Sequence, residues 1–180
     1  MTSVEQPAGR TLPVTVTYLE MQAHPSLPPV PVPAIQHALM RAVHPPVHFY
    51  RYLYDTVGRD WHWVDRKRLS DDALKSIIQD DQVEIYVLHA EGVPAGFAEL
   101  DFRKFPDVVD LAFFGLVPDF IGRGIGPWLL RWAVDEMWRR EPERITVNTC
   151  TLDHPSALPM YQRAGFRPYD RRETTLRLDD

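Results

Sequence analysis

Cysteine is almost missing from this chain: Cys150 is the one thiol in 180 residues. An internal disulfide is thereby excluded, as is a zinc site built from several thiolates, and a reducing compartment is the expectation. Apolar runs are short. No stretch approaches the ~20 apolar residues that cross a bilayer, and residues 1–12 carry neither a basic leader nor an apolar core of the kind that directs secretion. The expected location is the cytoplasm, with no membrane partner. Excess positive charge is lacking too. With 20 Lys and Arg against 25 Asp and Glu, the formal charge is −5, which argues against nucleic acid as a partner. The seven histidines (His24, His37, His44, His48, His62, His89 and His154) show no H-E-x-x-H spacing, so no metal is expected.

What remains is ordinary globular material, 44% hydrophobic and 25% charged. The length suits one domain, 1–180, with a substantial core. Residues 14–21 alternate β-branched and polar side chains and read as a strand. Prolines crowd 25–46 and forbid long regular structure; a loop packed over the domain is expected there, with a short helix at 34–42. A polyproline ligand for another protein is the alternative. Helices are predicted at 48–57, after Ser70-Asp-Asp, at 127–140 and at 156–163. Strands are predicted at 83–89, 94–102, 108–117 and 143–150, with closing strands in 166–178. That order makes an α/β fold, a mixed sheet with helices on both faces.

A strand ends at Val117, glycines alternate at Gly122, Gly124 and Gly126, and a helix opens at Pro127. Glycines let backbone approach a ligand closely, and unspent N–H groups at a helix start attract an anion. Spacing decides which anion. The dinucleotide fingerprint G-x-G-x-x-G fails, and the P-loop fails for lack of its terminal Gly-Lys-Ser/Thr. A tight strand-to-helix connection without a ligand is the alternative.

The segment Ile121-Gly-Arg-Gly-Ile-Gly126 resembles the acetyl-CoA loop of the GNAT superfamily of N-acetyltransferases, Q/R-x-x-G-x-G/A, with Ile121 in place of the polar first residue. Downstream, His154-Pro-Ser-Ala157-Leu-Pro-Met-Tyr161-Gln-Arg-Ala-Gly-Phe166 is similar to the family's N-x-x-A-x-x-x-Y-x-x-x-G-F segment, with His154 where asparagine is common. The resemblance covers 83–170. It implies a GNAT-type sheet with an acetyl-CoA-binding core at 83–170. Residues 13–82 then supply a first strand, the proline-rich loop and acceptor-side helices, and 171–180 a last strand.

It also implies roles. Backbone of Leu116 and Val117 would meet the pantetheine arm where two strands splay, one N–H polarising the thioester carbonyl. Ile121, Gly122, Arg123, Gly124, Ile125 and Gly126 would cradle the diphosphate, with Asn148 and His154 beside the arm. Tyr161 is the candidate general acid for the departing thiolate; an amphipathic core tyrosine is the alternative. If the 104–107 turn closes a hairpin, Glu99 falls opposite Ala112 and Asp101 opposite Asp110, placing all three carboxylates on one face. Glu99 is the first candidate base and Asp110 the second, and ordered water could serve instead. Tyr50, Tyr54, Asp60, Trp61 and Trp63 are candidate acceptor-binding residues, since aromatic faces beside a carboxylate hold an ammonium; helix-to-sheet core is the alternative.

The function expected is acetyl transfer from acetyl-CoA to a small-molecule primary amine within a ternary complex. A non-catalytic CoA-binding module and a peptide or protein N-acetyltransferase are the alternatives. A homodimer is the assembly the resemblance suggests.

Overall fold

The computed structural model describes residues 10–178. Seven strands make one sheet: β1 (Arg10–Met21), β2 (His37–Arg41), β3 (Val83–Ala90), β4 (Val93–Lys104), β5 (Val108–Leu116), β6 (Arg144–Cys150) and β7 (Arg167–Leu178). Their order across the sheet is β2-β3-β4-β5-β6-β1-β7. Every neighbouring pair is antiparallel except β5 with β6. The first and last of these strands are neighbours: β1 and β7 pair from Arg10↔Leu178 to Glu20↔Arg167.

Four helices cover the sheet: α1 (Val47–Gly58), α2 (Asp71–Ile78), α3 (Ile125–Trp138) and α4 (Ala157–Arg163). The period-two alternation of β4 sorts them. Phe97 faces a core that includes Tyr50 and Leu53 of α1 and Leu74 and Ile78 of α2. Ala98, Leu100 and Phe102 face Leu130, Ala133 and Met137 of α3. Local chemistry starts α2 where expected: the Ser70 hydroxyl accepts the Ala73 N–H at 3.2 Å. Burial holds it there, because Leu74 and Ile78 are essentially solvent-free, each contributing about 1.5–3 kcal/mol. No helix among the described residues is long and apolar enough to cross a membrane.

Four expectations change. The short helix predicted at 34–42 is instead the strand β2, paired with β3 from His37↔Ala90 to Arg41↔Tyr86. A few residues between prolines bury too little to hold a helix, whereas the unpaired edge of β3 offers backbone hydrogen bonds. The helix predicted from Pro127 begins at Ile125, capped by Gly124 in the left-handed region. Pro127 falls in the first turn, where its missing N–H costs nothing. Residues 167–178 form one strand rather than several. Asp101 does pair with Asp110, but Glu99 pairs with Phe113 rather than Ala112, because β5 bulges at Ala112. The bulge turns Phe113 onto the α1 face and bends the strand.

That bend has a consequence. β5 and β6 pair only from Val108↔Arg144 to Asp110↔Thr146. Beyond that point β5 stays with β4 while β6 stays with β1, and the sheet opens into a V.

Candidate active site

A cavity of about 780 Å³ occupies the V. At one end lies the glycine loop. Gly122 (φ +82°) and Gly124 (φ +76°) adopt the left-handed backbone that side chains disfavour. A Cβ on either would meet nothing within 4 Å, so glycine serves the turn itself and keeps the loop's open side clear. Among the described residues, the N–H groups of residues 122–126 donate to no loop or turn carbonyl, whereas Ile121 donates to Pro118 at 3.1 Å. No acidic residue sits in the first turn of α3 to cancel its positive end. Unspent amides, a helix start and open space together suit a diphosphate.

Of the loop residues predicted to bind cofactor, Ile121, Gly122, Gly124 and Gly126 line the cavity. Arg123 does not: it reaches Glu91 at 3.4 Å and covers the Phe120 ring. Ile125 is fully buried in the core. Leu116 and Asn148 line the cavity, but Val117 donates its N–H to Ala95 at 2.8 Å. The free Val117 N–H expected from the sequence is therefore spent. Antiparallel pairs alternate between groups aimed at the partner and groups aimed away. With 117 aimed at β4, the Leu116 N–H and carbonyl point outward, across the opening toward β6.

Tyr161 of α4 lines the same cavity, 5% exposed, its ring edge-on to Phe114 and Phe166. Burial first, then the charges of Asp153 and Asp110, push its phenol above the usual tyrosine range, and no described residue hydrogen-bonds it. It stays protonated and available as a donor. His154 also lines the cavity. Its Nδ1 accepts the Ser156 N–H at 3.1 Å, so in the neutral ring Nε2 carries the hydrogen. That is the donor an asparagine amide would otherwise supply.

Neither candidate base lies in the cavity wall. Glu99 is fully buried, 2.6 Å from Arg66 and accepting the Tyr50 hydroxyl. Asp110 accepts the Thr146 hydroxyl at 2.6 Å, and burial raises its pKa above the ordinary carboxylate value. Alternation does place both on the α1 side, the face opposite Val109 and Leu111.

The other end of the cavity is aromatic. Tyr54, Trp61 and Trp63 line it, while Tyr50 lies in the core and Asp60 outside the wall. Trp63 sits 5.2 Å from both Tyr54 and Phe113, and Trp61 meets His154 edge-on at 5.0 Å. Sequence reasoning missed two contributors. His62, Val64 and Asp65 follow directly on the predicted tryptophans. Val14, Val16, Thr174, Thr175 and Leu176 come from β1 and β7, which continue as a two-stranded ribbon after β6 leaves them at Val16↔Cys150. Arg68 ties the loop to that ribbon by donating to the Arg177 carbonyl. The alternation at Val14 and Val16 was visible beforehand; the partner that turns it toward a cavity was not. Among the described residues, no three His, Cys, Asp or Glu side chains gather as metal ligands.

Comparison with solved structures finds the same fold. A conserved protein of unknown function from Staphylococcus epidermidis ATCC 12228 is 15% identical (TM-score 0.61), the match covering 93% of this chain and 62% of that one. A GCN5-related N-acetyltransferase from Sphaerobacter thermophilus is 16% identical (TM-score 0.61), over 92% of this chain and 51% of that one. This chain thus spans only half to two-thirds of their lengths. The aminoglycoside acetyltransferase AAC(6')-Iy, in complex with the bisubstrate analogue CoA-S-monomethyl-acetylneamine, is 21% identical (TM-score 0.55), over 73% of this chain and 91% of that one. No curated protein matches the sequence. The sequence itself matches the acetyltransferase (GNAT) family over residues 50–166. The chain belongs to the acetyltransferase (GNAT) family.

Proposed function

We propose that this chain transfers an acetyl group from acetyl-CoA to a small-molecule primary amine while both are bound. One observation carries the reading. A single cavity runs from the glycine loop, past the outward-facing Leu116 backbone and Tyr161, to an aromatic mouth. The loop's unspent amides and open left-handed glycines fit a diphosphate, and the V between β5 and β6 continues the same cavity with unpaired strand backbone along it. Bound there, acetyl-CoA would supply the acetyl group as an activated thioester.

The chain's own groups would then act as follows. The Leu116 N–H is fixed in a strand and aimed into the V, so it can donate to negative charge developing on a carbonyl oxygen. A preorganised donor of this kind contributes about 3 kcal/mol. Tyr161 holds a proton at neutral pH, ready for a departing thiolate. His154 Nε2–H supplies a further donor. Glu99 and Asp110 are engaged by Arg66, Tyr50 and Thr146, which supports a structural role for both and leaves the amine's proton to water or to a cavity-lining group.

The test is direct. Acetyl-CoA should raise the thermal midpoint, and thiol release across an amine panel should separate enzyme from binder. Tyr161→Phe should lower turnover about 100-fold with unchanged acetyl-CoA affinity. Unchanged turnover would remove the acid role. Tight binding without thiol release from any amine would favour a non-catalytic CoA-binding module.

A further inference from the structure

The acceptor end of the cavity is chemically lopsided. Its side chains are mostly rings and branched aliphatics: Tyr54, Trp61, Trp63 and Phe113, with Val57 and Leu176. Carboxylates line the whole cavity at only two positions, Asp65 and Asp153. Asp153 is already engaged, accepting the Thr149 hydroxyl at 2.7 Å and the Cys150 N–H at 2.8 Å. Asp65 is exposed at the wall, and no described residue hydrogen-bonds or ion-pairs with it. Its neighbour Arg66 is turned inward to Glu99 at 2.6 Å, so that cation is neutralised by another partner and does not repel an ammonium.

The rings are held in place. A Cβ on Gly58 would fall 2.5 Å from Trp63 Cβ, and one on Gly115 would fall 2.4 Å from Val57 and 3.6 Å from the Trp63 ring. Two glycines thus make the seat for the indole, which also packs 6.2 Å from Phe97. An apolar wall this well seated is preorganised for a flat or bulky apolar body.

We infer that the acceptor is a primary amine with a single positive charge on an aromatic or bulky apolar body. Asp65 holds the ammonium as it enters, and Trp61 and Trp63 hold the body. The inference rests on the transferase reading above and narrows it. A polycationic amino sugar needs several unengaged carboxylates, since each ammonium left without a partner loses its water for nothing in return. Here one such carboxylate is available.

The experiment is calorimetric titration of phenethylamine, and separately of neamine, into the protein saturated with CoA, paired with thiol release from acetyl-CoA. Phenethylamine should bind at least about tenfold more tightly than neamine. Asp65→Asn should weaken phenethylamine about tenfold without changing acetyl-CoA affinity, and Asp65→Glu should restore part of the loss. Equal or tighter binding of neamine overturns the inference, as does wild-type phenethylamine affinity in Asp65→Asn, or no binding of either amine. Binding as expected with no thiol release upholds the ligand class and instead overturns the transferase reading.

Discussion

Glu99 stands on β4, one strand removed from the V, and its carboxylate is turned into an ion pair with Arg66 under the hydroxyl of Tyr50. Glu99 is shut away from solvent while Arg66 is 14% exposed, and among the described residues the buried Arg66 Nε has no partner of its own. Breaking a buried pair on one side leaves the other charge uncompensated, a loss of about 3–5 kcal/mol. Glu99→Gln should therefore lower the unfolding free energy by about 3 kcal/mol, read by urea titration. Wild-type stability with abolished turnover would instead put Glu99 in the reaction. Alternation along β4 was legible and put Glu99 and Asp101 on one face. Arg66 was not legible as a partner, because it lies 33 residues away on an irregular segment with no periodicity to read.

At the scale of the element, the start of α3 separates two roles of glycine. Gly124 needs its positive φ, so any side chain there strains the backbone whether or not a ligand binds. Gly126 does not: it is helical, and a Cβ would meet Leu116 Cδ1 at 3.6 Å and Met160 Sδ at 3.8 Å, ordinary contacts. Gly126→Ala should stabilise the helix by about 0.5–1 kcal/mol, raising the thermal midpoint by about 1–4 °C. Because the acetyl-CoA loop pattern admits alanine at this position, Gly126→Ala should leave acetyl-CoA affinity unchanged, whereas the branched side chain of Gly126→Val, standing in the cavity lining, should weaken it. Undiminished affinity in Gly126→Val would count against the loop as the diphosphate site. Strand and helix identities were largely readable from periodicity, β2 excepted. That segment owes its conformation to the edge of β3, a non-local partner. The bulge at Ala112 has the same origin: nothing in Leu-Ala-Phe-Phe announces an extra residue until β4 lies alongside.

Across the whole molecule, four of the seven tyrosines share one electrostatic condition. Burial, as the leading cause, raises Tyr50, Tyr54, Tyr86 and Tyr161 above the ordinary phenol value. The folded state then keeps protons that the unfolded chain releases above about pH 10. Stability from these groups is fully present below that pH and falls as pH rises through it, because the unfolded state binds fewer protons. Thermal midpoints should thus drop steeply above about pH 10, and tyrosinate absorbance from these four rings should appear together with unfolding. Their titration at an ordinary phenol value in the intact fold would contradict the burial.

The sequence by itself determined the family, the order of elements apart from β2, the glycine turn and the helix that carries Tyr161, because each is written in residues close together along the chain. Tertiary structure alone decided that the sheet opens between β5 and β6, that Val117 is spent while Leu116 faces the gap, and that β1 and β7, distant in sequence, wall one cavity. It also withdrew Glu99 and Asp110 from the wall. Those outcomes depend on strand register and on which partner wins each hydrogen bond or charge, and only packing brings the competitors together.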